Sequence, residues 1–165
     1  MLNAFGALSL AVADRMREAM ASVAGHGASG PAALVALDGL AGGASIDALR
    51  RLLGLTHSGT VRLVDRLAGA GLVERRVGPD ARTVSLHLTP RGRRTARRVL
   101  AAREAALEQV LAPLSPAQRE QLESLLSTLF QGLEPTRESA PRICRLCDAD
   151  RCGHARGDCL VTRQL

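Results

Sequence analysis

Between residues 45 and 90 the apolar period of this chain switches from that of a helix to that of a strand, and then back. A change of period from 3.6 to 2 inside so short a stretch leaves few folds open. Ser45 can cap the helix "IDALRRLL", which stops at Gly54, and Thr56 can cap a second, "HSGTVRLVDRLAGAG". Two helices joined by a tight turn containing glycine form a helix-turn-helix pattern. "LVERRV" at 72–77 and "TVSLHL" at 83–88 then alternate apolar and polar residues, with the turn-rich "GPDAR" between them. Helix, turn, helix and a two-stranded hairpin, in that order, make a winged helix.

Helices surround this centre. Leu2, Phe5, Leu8, Val12, Met16, Met20 and Val23 recur at steps of three and four, which predicts an amphipathic helix over 2–24. "GHGASGP" breaks it, and a short helix follows over about 31–41. Thr89-Pro90 opens a further helix, strongly basic at first (Arg91, Arg93, Arg94, Arg97, Arg98, Arg103) and apolar later. Ser115 and Gln118 form a capping box ahead of a last helix, whose stripe is Leu122, Leu125, Leu126, Leu129, Phe130 and Leu133. The expected fold is mainly α with a small β-hairpin wing: a winged helix-turn-helix plus a helical dimerisation region. Its parts are an amino-terminal helix over 1–30, a DNA-binding lobe over 31–90, linking and dimerisation helices over 91–134, and a linker with a cysteine-rich tail over 135–165.

The stretch "HSGTVRLVDRLAGAGLVERRVGPDARTVSLHLTPRG" resembles the MarR family of winged-helix transcription regulators. "TVRLVDRL" followed by "GLVERR", then Asp80-Ala81-Arg82 and "LHLTPRG", matches the family's D-x-R wing and L-x-L-T-x-x-G run in order and spacing. The likeness covers about residues 1–134. It implies a homodimer held by its terminal helices, a recognition helix in the major groove and a wing arginine in the minor groove. Asp80 would present Arg82 there. It also implies double-stranded DNA with a pseudo-palindromic site as the partner, and allows a small-molecule inducer.

The residues themselves support contact with DNA. His57, Ser58, Thr60, Arg62 and Arg66 are expected on the outer side of the second helix, where its amino-terminal turns can touch bases and arginines can hold phosphates. Asp65 on the same face is expected to orient an arginine. All 22 basic residues are arginine, and the formal net charge of +6 suits an anionic partner. The arginine run over 91–103 reads equally as a phosphate clamp or as a solvated helix face. No nucleophile–base pair or phosphate loop is recognisable, so the chain is read as a binding protein and not an enzyme. A protein-interaction adapter built on a winged helix is the alternative. No apolar run reaches membrane-spanning length, and a cytoplasmic location is expected.

Every cysteine lies in "CRLCDADRCGHARGDC" at 144–159. Cys144, Cys147, Cys152 and Cys159 follow a Cys-x2-Cys-x4-Cys-x6-Cys spacing. Four thiolates in one short loop suit tetrahedral zinc. They are also the ligand set of an iron–sulfur cluster, or thiols that oxidise. The expectation is one metal centre per chain, zinc first, ordering the tail against the terminal helices.

Overall fold

The computed structural model describes residues 1–40, 43–77, 84–148 and 151–164. Helix α1 spans Leu2–Ala24 and α2 spans Gly30–Val35, which runs on into a π-helical turn at Ala36–Leu40. A two-residue strand β1 (Ala44–Ser45) precedes α3 (Ile46–Leu53) and α4 (His57–Gly69). Strands β2 (Val73–Val77) and β3 (Val84–Leu88) form the wing, followed by α5 (Pro90–Leu111) and α6 (Pro116–Gly132). A short α7 (Ala140–Ile143) and 3-10 turns at His154–Arg156 and Thr162–Gln164 complete the order.

The helix boundaries follow from local chemistry. The Ser45 hydroxyl accepts from the Ala48 amide at 3.2 Å, and the Thr56 hydroxyl from the Gly59 amide at 3.1 Å. Each satisfies an amide that the first helical turn cannot. Gly54 ends α3 at φ 67°, ψ 32°, a left-handed conformation that costs glycine little. The capping box of α6 is complete: Ser115 and Gln118 each bond the other's backbone amide. Thr89 accepts from the Gly92 amide at 3.0 Å and donates to the Gly71 carbonyl at 2.7 Å. One side chain thereby caps α5 and ties it to the entry of the wing.

The three strands pair antiparallel in the order β1-β3-β2. Val73 stands opposite Leu88, Arg75 opposite Leu86, and Val77 opposite Val84. β1 pairs Ala44 with Leu86 and was not expected, because two residues carry no readable period. β2 begins one residue later than its sequence pattern suggests.

The main core lies beneath the helix-turn-helix. Leu34, Leu37, Leu49, Leu63, Leu67, Val64, Leu86 and Val99 are its largest fully buried apolar side chains, joined by Met20 and Ala24 from α1 and Ala96 from α5. No aromatic ring enters it, so close packing rests on aliphatic side chains. α1 packs along α5, which holds the lobe against the long helices. The distal half of α1 and all of α6 behave differently. Leu2, Phe5, Leu8 and Leu10 are exposed, and α6 buries no residue. No helix among the described residues is long and apolar enough to cross a membrane.

Candidate nucleic-acid interface

The outward face of α4 is fixed from behind. Leu63, Val64 and Leu67 are buried beneath it, and the Thr56 cap sets the orientation of its first turn. On the open side stand His57, Ser58, Arg62, Asp65 and Arg66, all exposed. Ser58 lies 3.4 Å from the Thr56 hydroxyl, at the amino-terminal end, where amides and the helix dipole favour an anion. Arg75 of β2 donates to Asp65 at 2.6 Å. This engages the one acid of the face and links α4 to the wing. Arg62 and Arg66 are left with no acidic partner among the described residues.

Thr60 does not belong to this face. It is fully buried, and its hydroxyl donates to the Thr56 carbonyl at 3.0 Å. It lies on the inward stripe with Leu63, Val64 and Leu67, so it packs the core instead of meeting a partner. Asp80 and Arg82, expected to form the wing contact, lie outside the described residues. The strands that lead to them hold a fixed register, Val77 against Val84 at the last described pair.

The basic start of α5 divides in two. Arg93 is used internally, donating to the Leu88 carbonyl at 2.9 Å. Arg91, Arg94, Arg97 and Arg98 are exposed. Arg103, further along, is half-buried and turns toward Cys147.

None of the four cysteines is in a disulfide; three are half-buried and Cys159 is buried. The Cys144 thiol donates a hydrogen bond to the Cys147 sulfur, and the Cys152 thiol to the Cys159 sulfur. Burial, and then the proximity of Cys147 and Cys159, push the Cys144 thiol up to about 12. Burial likewise raises Cys147, against the nearby Arg103 charge. For Cys159 burial is outweighed by hydrogen bonds from Thr162 and from the Val161 amide, so its pKa falls below the ordinary value. Among the described residues no three His, Cys, Asp or Glu side chains stand in a ready-made metal-binding arrangement. Sequence reasoning missed α7, whose packing on α3 brings the tail to the lobe. The only signal was Pro141 at its first turn.

A family model described as the MarR family matches residues 32–83. RV1404 from Mycobacterium tuberculosis is 30% identical, with a TM-score of 0.66 over 78% of this chain and 88% of its own. A probable transcriptional regulator from Pseudomonas aeruginosa is also 30% identical, with a TM-score of 0.55 over 75% of this chain and 95% of its own. A MarR family protein from Bacillus stearothermophilus is 25% identical, with a TM-score of 0.66 over 79% and 91%. Among curated proteins none matches at a significant level.

Proposed function

The chain belongs to the MarR family of winged-helix transcription regulators, and from that premise we propose that it works as a homodimer on a pseudo-palindromic duplex. α4 enters the major groove with Ser58 and His57 nearest the bases and with Arg62 and Arg66 reaching bases or phosphates. Arg82, outside the described residues, enters the minor groove, where negative potential favours a guanidinium. The observation that carries this reading is the exposed α4 face, whose two arginines lack an acid among the described residues while its one acid is held by Arg75. A merely solvated face is expected to pair its charges locally, as Asp47 does with Arg50 and Arg51 on α3.

The dimer reading rests on α6. A helix of 17 residues that buries none of them gains little from propensity alone. Leu125, Leu126 and Leu129 on α6 and Leu133 at its C-cap, with Leu2, Phe5 and Leu8 on α1, form apolar surface that a second copy would cover. A two-fold protein then reads half-sites about one helical turn apart.

The test is selection of a binding duplex from a random-sequence pool, followed by titration at several salt concentrations. The expected result is a pseudo-palindromic consensus, with log affinity falling linearly with log salt. Binding with no sequence preference would overturn the reading.

A further inference from the structure

The tail is fastened to the DNA-reading lobe as well as to the last long helix. α7 packs on α3, the first helix of the helix-turn-helix. The Arg142 guanidinium lies over Gly54, the turn itself: a Cβ built there would stand 2.9 Å from its Nη2. Leu146 joins the main core, and Arg151 forms an ion pair with Glu104 of α5. Ala140, Cys159 and Val161 make a second small core with Phe130 and Cys144. So few buried residues are a weak means of holding a tail of this length.

Within the tail the backbone already brings the sulfurs together. The Cys147 amide donates to the Cys144 carbonyl at 2.8 Å, closing a tight turn between the two cysteines. Gly153 and Gly157 take left-handed conformations at φ 74° and 75°, and the Asp158 amide returns to the Gly153 carbonyl at 3.0 Å. This folds Cys159 back beside Cys152. The Val161 and Thr162 amides point at the Cys159 sulfur, as donors to a thiolate do. Arg103 and Arg151 line the same cavity as Cys147 and Cys152, placed to offset the charge that zinc-bound thiolates would carry.

We propose that Cys144, Cys147, Cys152 and Cys159 bind one zinc ion, and that its binding sets the helix-turn-helix through the Arg142–Gly54 contact. Four thiols lose their protons to solvent as four sulfur–zinc bonds form, so the site gains zinc and releases up to four protons. The thiols stand as two hydrogen-bonded pairs, not as a ready tetrahedron. Closing both pairs on one ion therefore draws the four cysteines inward, and with them α7, which Cys144 caps. Because α7 carries Arg142, the movement reaches the turn between α3 and α4. The regulatory meaning of that coupling rests on the DNA-binding role proposed above, but the site and the coupling can be measured without DNA.

The full chain is purified anaerobically and its metals are counted. The expected result is about one zinc per chain, lost in Cys147→Ser. Hydrogen exchange is then followed with zinc added or with chelator. The amides of α3 are expected to exchange about tenfold more slowly with zinc. Arg142→Ala should keep the zinc and lose that protection. A chain that binds no zinc, or that carries iron with visible absorption, overturns the site. Zinc bound with unchanged α3 exchange overturns the coupling. Failure to select a DNA site would remove the regulatory reading and leave both of these results standing.

Discussion

Gly92 shows how one position can be decided by distance. α5 crosses the chain just before β2, and a Cβ on Gly92 would lie 2.0 Å from the Leu72 carbonyl oxygen. That oxygen is already held by the Thr89 amide at 3.0 Å and has little room to withdraw. In an open helix Gly→Ala gains about 1 kcal/mol. Here the overlap with fixed backbone outweighs that gain, and Gly92→Ala is expected to lose about 2 kcal/mol. Urea unfolding checks it; a stabilised variant would mean that the crossing is looser than described. Thr60 carries the opposite lesson. Its position is i to Leu63, Val64 and Leu67 at i+3, i+4 and i+7, so the helical stripe alone places it inside. Its polarity argued for the surface, and polarity gave way because the Thr56 carbonyl satisfies the hydroxyl. Thr60→Val should cost about 1 kcal/mol of stability or less and leave DNA affinity unchanged. Reduced affinity at unchanged stability would return Thr60 to the interface.

At the scale of elements, capped helices were readable and short pieces were not. Ser45, Thr56, Thr89 and Ser115 each fix a boundary with a named hydrogen bond, and each announces itself by residue type. β1 exists only because Ala44 and Ser45 find β3, a long-range pairing with no local trace. α7 is equally silent, because four residues show no period. The clearest element-scale prediction concerns α6. Leu125 and Leu129 are 61% and 48% exposed in the single chain, an apolar cost that only a partner removes. Burying a leucine gains about 1.5–3 kcal/mol, and a two-fold interface counts each twice. Leu125→Asp with Leu129→Asp should therefore give a folded monomer by sedimentation at micromolar concentration, with the lobe's unfolding nearly unchanged. A persistent dimer would move the interface elsewhere. On α3 the hydrogen bond from Arg50, and then the charges of Arg50 and Arg51, hold the Asp47 carboxyl below its usual range. Its contribution is present above the unfolded carboxylate pKa and fades as pH falls through the lower folded value. Asp47→Asn should remove that acid-side dependence; an unchanged acid limb in pH unfolding would show that Asp47 does not contribute to it.

For the whole molecule, charge and symmetry act together. The formal charge of +6 is carried against acids by arginine alone, so every basic contact is a fork and none is a lysine point charge. Where those forks go separates two kinds of recognition, and salt dependence reads the difference. Each neutralised phosphate contributes about 0.9 to the slope of log affinity against log salt. A homodimer presents Arg62 twice. If Arg62 holds a phosphate, Arg62→Ala should flatten the slope by about 1.8, twice the single-contact value, and weaken all sequences alike. If it reads a base edge, the slope should stay nearly constant while discrimination between sites falls by about 1–3 kcal/mol for each half-site. Arg62→Lys separates the two again: charge is retained, so a phosphate contact keeps its slope, whereas a bidentate base contact loses its geometry. A change of about 0.9 would mean that one protomer binds DNA alone, against the exposed leucines of α6. No change in slope, affinity or discrimination for Arg62→Ala would remove α4 from the DNA, because Arg62 is exposed on that face and has no acidic partner among the described residues.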